Sequence, residues 1–422
     1  MKYRISHPTK KLNGSITLTA SKSESNRALI IQALCHEKFE IENLALAQDT
    51  ETLQHILNST IVHEPEIKHD VGAAGTTMRF LTAYLATKMG THIITGSDRM
   101  KKRPIGILVN ALRDLGASIQ YLDKEGFPPL KVTGRSLKGG EIEVDGNVSS
   151  QFISALLLIA PELQNGLVIK FKGEVTSRPY INMTLKMMEE FRVYGQWHDN
   201  AISVSKQNYH IKSDEGYKYE VEADWSSASY WYAIAAVAQE ADFTIKGLKH
   251  PSLQGDAIVA DIFTFFGIKT EYITDGIRIT KQRLKDEHFG FDFSDCPDLA
   301  QTIAVVASAL QIPAMFNGLH TLRIKETDRI EALKNELKKL GTDVEILDDN
   351  SIKIIPANSK QPITNNQQPT IKTYDDHRMA MAFASVAMRS DALIIEEPEV
   401  VKKSYPDFWN DLKRVGFIIE EI

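Results

Sequence analysis

Five of the seven residues from Arg323 to Arg329 are charged: Arg323, Lys325, Glu326, Asp328 and Arg329. Two guanidinium groups and an ammonium in one place suit a phosphate or carboxylate, and a carboxylate beside them suits proton transfer. A plainer reading has the same charges solvated at the start of a helix. Ile330, Leu333, Leu337 and Leu340 recur at spacings of three, four and three, which predicts an amphipathic helix stopped by Gly341. Thr327 or Asp328 would cap it, and Asp328 with Glu331 fits a capping box. The choice between the two readings depends on what the rest of the chain brings to such helix starts.

Six further stretches open with a short polar cluster and continue as an apolar or small-residue helix: SKSESNRALIIQAL from Ser21, GAAGTTMRFLTAYLA from Gly72, SSQFISALLLIAP from Ser149, DWSSASYWYAIAAVA from Asp224, CPDLAQTIAVVASAL from Cys296 and YDDHRMAMAFASVAM from Tyr374. A second helical pattern follows each one, at Asp49, Arg103, Arg178, Gly255, the helix of the charged segment, and Ser404. Between paired helices, THIITGS, LVIKFKG, DFTIKGL and DALIIEE alternate like strands. This internal repeat predicts six β/α modules of two helices each, as two domains of three, with a frontier around Val221 to Asp224. A polar stretch from Asn358 to Thr370 reads as a surface connection.

Unpaired N–H groups and the positive end of the macrodipole make each helix start a place for an anion. Beside these starts stand Lys22, Arg27, Arg79, Arg103, Arg178, Lys325, Arg329, Arg378, Lys402 and Lys403. Singly, each is an ordinary surface charge. If the starts face one another, they make a positive cleft that focuses a small polyanion inside a protein of net charge −6.

Other chemistries are poorly served. The 422 residues are 43% hydrophobic and 25% charged, as in soluble globular proteins of two domains. No run of basic residues suggests nucleic acid or a membrane surface, and the longest apolar run, Ile153 to Pro161, is too short to span a bilayer. MKYRISHPTKK lacks an apolar signal region, so a cytoplasmic protein is expected. Two cysteines and twelve histidines without ligand spacing suggest neither a disulfide framework nor a metal site. Nucleotide phosphate loops and the H-E-x-x-H pattern are absent; GAAGTT at Gly72 is a weak phosphate-loop signal alone.

Taken together, KETDR, SKSESNRAL, AGTTMR, RPIG, SSQF, SRPY and DDHRM resemble the 5-enolpyruvylshikimate-3-phosphate synthase family of enolpyruvyl transferases over essentially the whole chain. The related UDP-N-acetylglucosamine enolpyruvyl transferases carry neither KETDR nor DDHRM, and have Asn where Ser23 stands here. The resemblance implies transfer of the enolpyruvyl group of phosphoenolpyruvate to the 5-hydroxyl of shikimate 3-phosphate, with release of phosphate. No metal or organic cofactor is implied, and a monomer is expected. The implied fold is α/β: two inside-out α/β domains, each of three repeated β/α modules, with helix N-termini facing an interdomain cleft. Residues 21–222 would form the first domain, and residues 1–20 with 223–422 the second.

The resemblance assigns shikimate 3-phosphate to Lys22, Ser23, Arg27, Ser149, Ser150, Gln151, Ser177, Tyr180, Asp298, Thr321 and Lys325. It assigns phosphoenolpyruvate to Lys22, Gly75, Arg103, Gln151, Arg329, Arg378 and Lys403. Removing the 5-hydroxyl proton needs a base, for which Asp298 is the candidate; Glu326 and Lys22 are candidates for the proton added to the enol methylene. The chain departs from the family at Ala73, usually Asn, at Phe80, usually Pro, and at Thr321, often Asn. The first two bear on the response to glyphosate, a phosphoenolpyruvate competitor in this family. Two rival functions stay open: enolpyruvyl transfer to a UDP-sugar, and noncatalytic anion binding, against which the joint retention of Asp298, Glu326 and Lys22 speaks.

Overall fold

The structure is a computed structural model that describes residues 1–59, 66–212, 216–284, 288–357 and 368–422. Residues 358–367 of the polar stretch read as a surface connection lie outside the described residues, and Thr370 already belongs to a strand. The chain divides into two compact units, Lys22–Val221 and Met1–Ser21 with Glu222–Ile422.

In chain order the first elements are β1 (Lys2–Ser6), β2 (Lys11–Thr17), α1 (Lys22–Leu34), β3 (Glu40–Glu42) and α2 (Gln48–Ser59). A strand–helix–strand–helix–strand–strand unit follows twice. Its first copy is β4 (Ile67–Asp70), α3 (Gly75–Thr87), β5 (Gly90–Thr95), α4 (Gly106–Asp114), β6 (Ser118–Tyr121) and β7 (Leu130–Gly134). The second is β8 (Gly140–Asp145), α5 (Ser150–Ile159), β9 (Leu167–Lys172), α6 (Arg178–Glu190), β10 (Gly195–His198) and β11 (Ala201–Val204). After β12 (Lys218–Glu220) come α7 (Trp225–Val237), β13 (Glu240–Lys246), α8 (Val259–Phe265), β14 (Ile268–Ile273) and β15 (Gly276–Lys281). Next are β16 (Phe289–Asp292), α9 (Ala300–Leu310), β17 (Ala314–Asn317), α10 (Arg329–Lys338), β18 (Thr342–Ile346) and β19 (Ile352–Pro356). The last are β20 (Thr370–Ile371), α11 (His377–Ala384), β21 (Leu393–Glu396), α12 (Phe408–Arg414) and β22 (Ile418–Glu421).

Every four-stranded sheet has one plan. The first strand runs parallel to the second, the second pairs antiparallel with the fourth, and the fourth with the third, as in the order β4-β5-β7-β6. Strands from distant parts of the chain complete the plan. β2 supplies the first strand beside β13, with Lys11 opposite Glu240, and β1 supplies the fourth strand between β21 and β22. β12 pairs with β3 in the same parallel sense, as a two-stranded sheet.

In both units inner helices are buried nearly throughout, as α3, α5, α7 and α9 are, while others such as α2 keep an exposed face. α7 buries nearly every residue on all sides, and α9 and α11 do likewise, as their small and apolar residues allow. The sheets alternate instead: β13 buries Ala241, Phe243 and Ile245 and turns Glu240, Asp242 and Lys246 outward. Among the described residues no helix is long and apolar enough to cross a membrane.

The helix ends are chemically distinct. At the C-terminal ends of inner helices of the Met1–Ser21/Glu222–Ile422 unit, Lys281 Nζ donates to the carbonyls of Ala236 (2.7 Å) and Ala238, and Arg389 Nη1 to that of Ala309 (2.8 Å). Lys10 Nζ likewise donates to Ala387 O, in the short 3₁₀ turn that continues α11, and to Ser390 O just after it. Cations thus satisfy orphan carbonyls at the negative ends, and the positive ends are left for the polar openings.

Candidate active site

All six polar openings lie at helix starts, and at three of them a side chain caps the free N–H groups. Ser149 accepts from Gln151 N–H, Asp224 from Ser226, and Asp376 from Arg378. Asp328, rather than Thr327, caps α10 by accepting from the N–H groups of Ile330 and Glu331.

In the Lys22–Val221 unit, Lys22 Nζ lies 3.2 Å from Asp49 Oδ2, and Thr77 Oγ1 donates to Asp49 O, which ties the starts of α1, α2 and α3 together. Gly75 opens α3 against the Arg103 guanidinium: a Cβ there would come within 2.6 Å of Arg103 Nη1 and displace that side chain. Arg79 donates to Gly75 O (2.9 Å) and Pro104 O (3.3 Å), which fixes that turn against the segment carrying Arg103. Gln151, beside Ser149 and Ser150, donates through Nε2 to Thr76 Oγ1 at 3.2 Å. Arg27 is buried and faces inward: Nε donates to Thr184 Oγ1, Nη1 to Ser23 O, and Nη2 to Ser154 Oγ and Tyr180 O. Burial pushes its guanidinium down to about 10. Ser177 precedes α6 with a left-handed φ of 53°, and its carbonyl accepts from Tyr180 N–H. Phe80 packs its ring 5.6 Å from the Arg27 guanidinium carbon, and Ala73 has no side chain able to reach a ligand.

The other unit gathers its candidates around one arginine. Arg329 is 1% exposed and spends each nitrogen on a different carboxylate: Nε on Asp376 (2.8 Å), Nη1 on Asp298 (2.9 Å) and Nη2 on Glu326 (2.8 Å). Asp298 also accepts from Arg378 Nη2 at 2.8 Å and lies 3.5 Å from Lys325 Nζ. Burial works to raise the pKa of Asp298, but Arg378, Lys325 and Arg329 outweigh it and hold the carboxyl well below the usual range. Burial lowers the pKa of Lys325 against the pull of Asp298, and the pKa of Arg329 is raised by its three carboxylates in spite of burial. Arg378 Nη1 lies 3.3 Å from the hydroxyl of Tyr230. Lys403 Nζ is held by Asp375, through Oδ1 at 2.6 Å and the carbonyl at 2.7 Å. Thr321, 8% exposed, has no hydrogen-bond partner for its buried hydroxyl among the described residues.

Among the described residues no group of histidines, cysteines and carboxylates has the arrangement of a metal site. Against this geometry, the family model described as EPSP synthase (3-phosphoshikimate 1-carboxyvinyltransferase) matches residues 6–69 and 58–412. The chain belongs to the EPSP synthase family. It is 49% identical to the 3-phosphoshikimate 1-carboxyvinyltransferase of Bacteroides fragilis, over 100% of this chain and 99% of that protein. It is 37% identical to the protein of the same name from Sulfurovum sp., over 97% of this chain and 98% of that one. In fold it resembles the EPSP synthase of Acinetobacter baumannii, with a TM-score of 0.78 at 22% identity and full coverage of both chains.

Within this EPSP synthase fold, three contributors escaped the sequence reading. Asp49 was seen only as part of a helix pattern, Asp376 only as a letter of DDHRM, and Tyr230 as an apolar position of α7. The signal for Asp376 was available: an Asp directly before an apolar helix is an N-cap, and a capping carboxylate has a second oxygen to give a neighbouring arginine.

Proposed function

We propose that the chain transfers the enolpyruvyl group of phosphoenolpyruvate to the 5-hydroxyl of shikimate 3-phosphate and releases phosphate. The observation that carries this reading is membership of the EPSP synthase family along the whole chain, at 49% identity to a full-length 3-phosphoshikimate 1-carboxyvinyltransferase. Transfer to a UDP-sugar is not favoured by any of these relatives.

Phosphoenolpyruvate is assigned to Lys22, Gly75, Arg103, Gln151, Arg329, Arg378 and Lys403; shikimate 3-phosphate is assigned to Lys22, Ser23, Arg27, Ser149, Ser150, Gln151, Ser177, Tyr180, Asp298, Thr321 and Lys325. The 5-oxygen bonds to C2 of the enolpyruvyl group as its proton passes to Asp298. The methylene accepts a proton from Glu326 or Lys22, and loss of a proton with departure of phosphate restores the vinyl group. Free, Asp298 is ionised but weakly basic, because Arg378, Lys325 and Arg329 hold its charge. A phosphate or carboxylate that draws those cations away returns basicity to Asp298 when substrate is present. Action in the cytoplasm, as a monomer and without a cofactor, belongs to the same reading.

The test is phosphate release from phosphoenolpyruvate with either acceptor. Release with shikimate 3-phosphate and none with UDP-N-acetylglucosamine is expected; the reverse pattern, or release with neither, overturns the reading.

A further inference from the structure

Two residues directly before the capping Asp376, Tyr374 and Asp375, adopt left-handed backbone angles, with φ of 55° and 57°. Neither is glycine. Two consecutive residues in this region are disfavoured, so the turn exists only where its surroundings enforce it. Two important groups depend on it. Asp375 holds Lys403 through both its carbonyl and its carboxylate. Asp376, 0% exposed, places one oxygen on Arg329 Nε and the other on the N–H of Arg378.

The restraint comes from α10. Glu336, 0% exposed, accepts from the Tyr374 hydroxyl at 2.7 Å, from the Lys372 N–H at 3.0 Å and from Lys339 Nζ at 2.6 Å. Arg329 and Glu336 are seven residues apart, about two helical turns, so they lie on one face of α10. Both grip the same segment, Arg329 at Asp376 and Glu336 at Lys372 and Tyr374. Burial and then the Glu336 carboxylate push the Tyr374 phenol up to about 12, so it remains a donor at neutral pH.

We propose that Glu336, acting through Tyr374, is a positioning residue for phosphoenolpyruvate: it clamps the left-handed turn that sets Lys403, Arg329 and Arg378. Glu336 touches no substrate in this account. The identity of the ligand rests on the function proposed above, whereas the clamp itself is a property of the free protein.

Two substitutions test it, Glu336→Gln and the milder Tyr374→Phe, which removes one hydroxyl. In each, KM for phosphoenolpyruvate should rise about tenfold, with KM for shikimate 3-phosphate within twofold and kcat within threefold. In the free protein, reductive methylation followed by mass spectrometry should label Lys403 several-fold faster than in the unsubstituted protein, relative to Lys402. A folded Tyr374→Phe variant with unchanged Lys403 labelling overturns the proposal, as does an equal rise in both KM values. Lys403→Ala in the same assay separates the two claims. If that change leaves phosphoenolpyruvate binding intact, the assignment of Lys403 fails; if it weakens binding but Tyr374→Phe does not, the clamp fails. The labelling result decides the clamp even if no turnover is found.

Discussion

Asp298 is the carboxylate on which the proposed proton transfer turns, and three cations restrain it. Asp298→Asn removes the base and also a competitor for Arg329 and Arg378. We therefore predict that kcat falls by roughly 10² or more while phosphoenolpyruvate binds no more weakly, and steady-state kinetics with equilibrium titration checks both. An unchanged kcat would remove Asp298 from the role. A second residue-scale prediction concerns His69 and His92, buried in β4 and β5 with His69 Nε2 3.1 Å from His92 Nδ1. Burial holds both below their ordinary values, His69 at about 4. Between that value and the ordinary one near 6.5 the unfolded chain binds the proton and the folded chain does not, so stability falls as pH falls through this window. The loss for His69 stays below the roughly 3 kcal/mol that the whole shift would carry, because solvent screens part of it. Denaturant unfolding at pH 7 and pH 4.5 should show it, and His69→Gln should flatten the difference; identical pH dependence in the variant would contradict the assignment.

At the scale of elements, the inner helices present a polar start and a cation-capped end. Lys281→Met removes the cap from α7 and leaves the carbonyls of Ala236 and Ala238 to the protein interior. A loss of about 1–2 kcal/mol is expected, seen as a few degrees in Tm. KM should not move, because the start of this 13-residue helix lies about 20 Å from its end. A change in KM without a change in Tm would refute that separation of roles. The helix starts were legible in the sequence because a polar cluster before a 3.6-residue apolar period is a local signal. The pairing of β1 with β21 and of β2 with β13 was not, since Lys2 opposite Glu396 is a contact between the two ends of the chain. The cations of the site were legible as residue types. Their compensation by Asp376, Asp375 and Asp49 was not, because each partner is set by how the helix starts pack.

For the whole molecule, six repeats of two helices produce many helix starts, and the chain uses them to bring cations and carboxylates into paired networks within each unit. The positive groups expected from the sequence are therefore largely neutralised before any ligand arrives, at least around Arg329. In the mechanism proposed above, such a network would bind an anion by exchanging partners, linking binding of phosphoenolpyruvate to the release of a base. The proposed addition of the 5-oxygen and elimination of phosphate protonate and then deprotonate the methylene during turnover. The most direct measurement is proton NMR of the product formed from phosphoenolpyruvate and shikimate 3-phosphate in deuterated water. The account predicts a vinyl ether at the 5-oxygen, deuterium in its methylene, and one phosphate per product. Phosphate released without the vinyl ether, or a vinyl group free of deuterium, would contradict it.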